Sequence, residues 1–296
     1  MPVKAQPATV ILIFASILWG LSWIPLKYLS KAGLHGLPLI LLCYGAMSLM
    51  VLPFLWRSLS SVRNHLLPIF GIFVFGGLAN LCFNYALIHG EVVRVMVLFY
   101  LLPVWGVLGG RFILQEKTDI WRWLGVLLAV GGAYIILGGN NVFSQPPQWM
   151  DLVALLSGLF FALNNLLFRA VQHVPLSVKL GALYLGCFVF AFLLMMLGVE
   201  TISFASLNWQ TVLLAIGYAI FWLFWANAGS QWAVTKMPAG RSSIIIVMEL
   251  IAAVVSAIAL GGEHLTPQVI IGGALVLSAT FSEIFRAQEK SQAERV

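Results

Sequence analysis

The amino-acid sequence predicts an all-α membrane protein: ten transmembrane helices forming two inverted-topology five-helix repeats, with the N- and C-termini cytoplasmic. Composition points there first. Of 296 residues 61% are hydrophobic and 9% charged, and the mean hydropathy of +0.99 is far from the mixed surface of a soluble domain. Internal register points there next. Residues 80–136 lie over residues 227–283 without a gap at an offset of 147, which puts Asn80 on Asn227, Asn84 on Gln231, Arg94 on Arg241, Glu116 on Glu263 and Gly125 on Gly272. Each copy holds an odd number of spans, so the two copies must face opposite ways across the bilayer.

Apolar stretches long enough to cross the hydrocarbon core, about 20 residues each, fall at 8–29, 37–56, 66–88, 92–114, 121–139, 150–170, 178–198, 211–234, 239–261 and 267–285. The first follows a short start containing Lys4, as a secretory signal would. Its apolar run is too long for one, and no small-residue cleavage site closes it before Lys31, so it reads as a retained span. The first repeat covers 1–139 and the second 150–286, with 287–296 a cytoplasmic tail. Between them Gly138, Gly139, Asn140, Asn141, Pro146 and Pro147 punctuate the chain. The opening helices also align, at an offset of 142, with Trp19 on Phe161, Ser22 on Asn164, Trp23 on Asn165 and Lys27 on Arg169.

Charge orients the bundle. With the N-terminus inside, 13 of the 16 Lys and Arg residues fall on the cytoplasmic side, and only Lys27, Lys31 and Arg94 lie outside, as the positive-inside rule requires. The net charge of +6 is therefore a membrane signal and gives no reason to expect nucleic acid. The connections are too short to hide a nucleotide-binding domain, which argues against an ATP-driven pump in this chain. Cys43, Cys82 and Cys187 fall inside spans with no CxxC spacing and read as free packing thiols. The five histidines stand singly without metal-ligand spacing, so no metal and no cofactor is expected.

Small residues recur at four-residue spacing in the fifth span (Gly125, Ala129, Ala133) and the tenth (Ala274, Ser278, Ser282). In lipid such faces let helices approach closely, either within the molecule or in a homodimer, so monomer and dimer both stay open. Trp56, Trp121, Trp123, Trp149 and Trp209 sit at span ends and read as interfacial anchors. Arg94 and Arg241 open spans four and nine and read as membrane-edge anchors, while Asp119 and Asp151 read as isolated.

The run from Pro103 through Glu116 and Lys117 to Gly125, with its second copy Met248-Glu249-Leu250 through Glu263 to Gly272, resembles the signature of the drug/metabolite transporter superfamily and its ten-helix EamA-type carriers. Leu250 departs from it where such carriers often place proline. The aromatic fourth span, Phe99-Tyr100-Leu101-Leu102-Pro103-Val104-Trp105, is most similar to that of bacterial exporters of aromatic amino acids and paraquat. The resemblance implies an exporter in the bacterial inner membrane with a central cavity built by both repeats.

Polar side chains deep in a bilayer need a partner, a wet cavity or a substrate. Asn80 and Asn84 share one face of span three, and Asn227 and Gln231 share one face of span eight. They read either as two mouths of one pathway or as interhelical hydrogen bonds. Asn164 and Asn165 are adjacent and cannot face the same way, which suggests one in the pore and one bonded to a neighbouring helix. Glu249 is the acidic residue near a span centre, a candidate for binding a substrate ammonium or coupling a proton, or else for a structural hydrogen bond. Trp19, Phe99 and Tyr100 are the aromatic candidates for the cavity, with Ser22 and Trp23 on the same helix as Trp19.

No cation falls mid-span, which argues against sugar phosphates. The expected function is secondary export of small metabolites, above all aromatic and other bulky neutral amino acids, by alternating access. A proton-coupled exporter of drugs or organic cations is the alternative. A membrane-embedded lipid-acting enzyme or scramblase is the reading from another class. It lacks support because no acid/base cluster gathers in the loops, and no enzyme activity is expected.

Overall fold

A computed structural model describes residues 5–58, 65–101, 104–105, 108, 120–136, 148–201, 208–236 and 239–293, and these are helical wherever they have regular structure. The helices are α1 (Ala5–Gly20), α2 (Trp23–Lys31), α3 (Gly36–Arg57), α4 (Leu66–His89), α5 (Val92–Phe99), α6 (Ile120–Ile136), α7 (Trp149–Ala170), α8 (Leu176–Met196), α9 (Trp209–Thr235), α10 (Ala239–Gly261) and α11 (Pro267–Ala293). Among the described residues six stretches are long and apolar enough to cross a membrane: Pro7–Lys31 (α1 with α2), α3, α4, Trp149–Phe168 within α7, α8 and α9. Shorter apolar helices at Trp123–Ile136, Ile245–Gly261 and Pro267–Ala279 accompany them. Large apolar side chains cover the exterior, with Trp56, Trp149 and Trp209 exposed at helix ends.

Two expected spans are interrupted, both for a reason written in the sequence. Pro25 has no N–H to donate to the carbonyl of Leu21, so α1 stops at Gly20 and α2 restarts at Trp23. Pro103 likewise has no N–H for Phe99. Helix α5 ends at Phe99 after eight residues, so span 92–114 is not one continuous helix as far as it is described. The freed Phe99 carbonyl faces α7 at Gly158, where a Cβ would sit 2.6 Å from it.

Helices α4 and α9 each contain one π-helical stretch, at Ile72–Gly76 and at Ala219–Leu223, which lie at the offset of 147 found in the sequence. The Nδ2 of Asn80 donates to the Gly76 carbonyl at 3.0 Å and that of Asn227 to the Leu223 carbonyl at 3.1 Å. Each asparagine therefore closes the widened turn before it, at the same offset.

Packing between the halves is reciprocal. Helix α1 lies against α9 and α10, α7 lies against α4 and α5, α3 pairs with α8, and α6 pairs with α11. Glycines allow the closest approaches. A Cβ on Gly132 would meet the Gly272 carbonyl at 2.5 Å, one on Gly272 would meet the Gly132 carbonyl at 2.5 Å, and Gly20 abuts the backbone of Glu249 and Ala253. The small face of α6 (Gly125, Ala129, Ala133) is buried within the molecule, whereas Ala274 and Ser278 of α11 are exposed. At one end of the bundle, His65 and His173 approach to 2.7 Å between ring nitrogens.

Candidate functional site

Where α1, α4, α5, α7, α8, α9 and α10 converge lies a central cavity, whose empty space comes to about 580 Å³ when the part open to solvent is counted. Its aromatic wall is continuous: Trp19 to Phe83 at 5.8 Å between ring centroids, Phe83 to Phe99 at 4.6 Å, and Phe99 to Phe161 at 5.3 Å. Facing it are Ser16, Asn80, Asn227, Ser230, Gln231 and Glu249. The cavity thus gathers residues from both halves. Among the described lining residues Glu249 is the one ionisable group, and no Lys, Arg or His joins it.

Hydrogen bonding leaves this polar set rich in acceptors. Ser230 gives its proton to the Ala226 carbonyl at 2.6 Å, and Asn80 and Asn227 each spend an amide proton on their own helix. The Asn80 oxygen accepts from the Tyr44 hydroxyl at 2.8 Å, which fixes the amide's orientation. A carboxyl group, a hydroxyl oxygen and amide groups in a cavity walled by π faces suit a ligand that offers N–H donors and an apolar or aromatic body.

Of the residues singled out in the sequence, the cavity brings together Trp19, Asn80, Phe99, Asn227, Gln231 and Glu249. Asn80 and the Asn227–Gln231 pair share one chamber and do not line two separate mouths. The others lie elsewhere. Asn84 is fully buried and donates to the Tyr44 hydroxyl and the Asn80 carbonyl. Asn164, expected with Asn165 to place one amide in the pore, is buried with its oxygen against Gly76, and Asn165 is not among the lining residues either. Tyr100 sits behind the wall, donating to the Ile246 carbonyl at 2.8 Å. Ser22 is buried in the break of the first span, where its hydroxyl donates to the Trp19 carbonyl at 2.6 Å. Trp23 is buried one turn beyond the cavity, its indole N–H donating to Ser256 at 2.9 Å.

Two charged residues need correction. Arg94 is no free edge anchor and Asp151 is not isolated: they form a two-pronged pair at 2.6 and 2.7 Å, with Asp151 also capping α7 through the Gln148 amide. The partners are far apart in sequence and lie in different halves, so no local pattern links them. Arg241, and the motif residues Pro103, Glu116 and Lys117, lie outside the residues whose side chains are described. Sequence reading also missed Ser16, Phe161 and Ser230. Phe161 carried a usable signal, being the aromatic counterpart of Trp19 at the 142 offset.

Residues 6–138 match the EamA-like transporter family. The chain is 22% identical to an uncharacterized transporter of Bacillus subtilis (strain 168), YoaV, over 93% of this chain and 95% of that one. A solved crystal structure, 17% identical, superposes with a TM-score of 0.58 over 96% of this chain and 98% of its own, which is a likeness of fold. The likeness to EamA-like transporters thus covers residues 6–138, and a distant likeness to a transporter runs along nearly the whole chain.

Proposed function

We propose that the protein is an alternating-access exporter of small amines with a bulky apolar part, foremost aromatic and other bulky neutral amino acids, in a bacterial inner membrane. Its two halves act as inverted repeats that open the shared chamber to each side in turn. The observation that carries the reading is the chamber itself: four aromatic rings beside a single carboxylate, with no cation among the described lining residues. Glu249 takes the substrate ammonium, the ring wall takes the side chain, and the free amide of Gln231 is left for the carboxylate. Counterflow of labelled phenylalanine or tryptophan in proteoliposomes, with unlabelled competitors, tests it. Competition by aromatic amino acids is expected, and competition by a sugar phosphate alone overturns it.

Export of organic cations against protons is a second reading. It is favoured by the acceptor bias of the cavity, because a carboxylate that must choose between a proton and a cation couples the two. Transport at clamped voltage that ignores a pH gradient removes this reading and leaves facilitated efflux.

A further inference from the structure

Polar ties between the two halves concentrate at one end of the bundle, where α2 and α4 finish and α3, α5 and α7 begin. Three carboxylates of the second half reach there into the first. Asp151 holds Arg94. Glu200 accepts from the Leu37 amide at 2.6 Å and the Tyr85 hydroxyl at 3.0 Å and lies 3.1 Å from His89. Glu263 accepts from the Val92 and Val93 amides at 2.8 and 3.0 Å, capping α5, and stands 3.8 Å from the Lys27 ammonium. The charge bias of the sequence assigns this end to the outside.

Lys27 belongs to α2, the short half-helix that the Pro25 break detaches from α1. The break has fixed supports: the Tyr218 hydroxyl donates to the Ser22 carbonyl at 3.3 Å, and the Trp222 indole donates to the Leu18 carbonyl at 2.8 Å. On one side of it lies the central cavity, lined by Trp19. On the other lies a second space, a vestibule open to solvent and lined by Trp23, Lys27, Ser30, Lys31, His89 and Gly261 among others. Trp19 and Trp23 are one helical turn apart, about 6 Å of rise, so the barrier between the two spaces is thin. Trp23 fills it, buried with its ring edge against Gly261 and its N–H on Ser256.

We propose that α2 is an outer gate, with Trp23 as its plug, the Leu21–Ser22 break as its hinge and Glu263 as the latch that holds it shut through Lys27 and the N-terminus of α5. The inference rests on the transport reading of the central cavity. Pro25 leaves the hinge one backbone hydrogen bond short, and Ser22 and Ile24 bond three residues back in place of four, so α2 can swing by changing a few dihedral angles while Tyr218 and Trp222 keep the pivot in place. The latch is a contact between charged and polar groups near water, so it can be exchanged for solvent without exposing apolar surface. Lys27 also donates to the Gly90 carbonyl at 3.0 Å, which ties the gate to the α4–α5 turn that Glu263 caps.

The test is labelling of a cysteine placed in the cavity, Ser16→Cys, in the full chain with Cys43, Cys82 and Cys187 replaced by serine. A membrane-impermeant maleimide is applied from outside, with Ser30→Cys in the vestibule as the accessible control. Slow labelling of the cavity cysteine is expected with the native latch, and labelling at least about fivefold faster with Glu263→Gln. Trp23→Ala, which removes the plug and leaves the latch charges intact, is expected to do the same and serves if Glu263→Gln does not fold. Unchanged labelling in both variants, while a permeant maleimide still reaches the cavity cysteine, overturns the gate and leaves the cavity standing. Failure of both reagents in every variant shows a closed, solvent-free interior and overturns the transport reading together with the gate.

Discussion

Glu249 concentrates the chemistry of the site because the other polar groups described around the cavity are neutral, and Asn80, Asn227 and Ser230 are partly committed to their own helices. Replacing it with Gln removes a charge-assisted contact, so affinity for an amine substrate should fall roughly 10- to 100-fold with little change in folding. Competition of the substrate against a fluorescent cation in detergent checks this. Glu200, outside the spanning segments, illustrates a different balance. Burial pushes its carboxyl up, but hydrogen bonds from His89, the Leu37 amide and Tyr85 outweigh burial and hold it below the ordinary carboxyl range. A carboxyl depressed in the folded state stabilises the fold above its unfolded value, and that stabilisation is lost as pH falls through the folded value. The melting temperature of Glu200→Gln should therefore lie below that of the parent at neutral pH, and the two should converge on acidification beneath the usual carboxyl range. The Arg94–Asp151 pair is partly buried, the aspartate more deeply, so removing one partner strands a desolvated charge. A double-mutant cycle with Arg94→Ala and Asp151→Ala is expected to show a favourable coupling, and additive losses would count against it. The residue types at these sites were readable in the sequence. The partners of Arg94 and Glu200 were not, because those bonds join segments separated by 57 to 163 positions.

Among the elements, prolines and glycines set the geometry that the apolar pattern leaves blank. Hydropathy reads 8–29 as one span and 92–114 as another, and cannot report that Pro25 and Pro103 divide them, since a broken and an intact helix are equally apolar. The division brings Trp19 and Phe99 to the cavity and sends the Phe99 carbonyl toward Gly158. A Gly158→Val substitution should force α5 and α7 apart and cost about 1–3 kcal/mol, measurable as a lower melting temperature, with loss of ligand protection because Phe99 and Phe161 move too. The matched π stretches teach a related lesson. The offset of 147 foretold that Asn80 and Asn227 would be equivalent. It gave no sign that both would close a widened turn, because the asparagine side chain serves a pore and a free backbone carbonyl equally well.

At the scale of the molecule, α1 packs on α9 and α10 and α7 packs on α4 and α5, so each half lays its opening helix against the other. His65 and His173 supply a direct check of topology, because residues in contact must share one face of the bilayer. Cysteines at the two positions should cross-link readily with a short bifunctional maleimide and be blocked by the same impermeant reagent from the same side. Their separation onto opposite faces would refute the arrangement.

The sequence by itself determined the class of environment, the rough positions of the helices and the internal register, because bilayer thickness and backbone hydrogen bonding leave a chain this apolar little choice but helices of about 20 residues. Only the tertiary structure decided which amides face open space, which aromatic rings join into a wall and which carboxylates cross between the halves. Those outcomes depend on helix rotation and on close approach at single glycines, where a shift of one residue turns a side chain by about 100° while leaving its hydropathy unchanged.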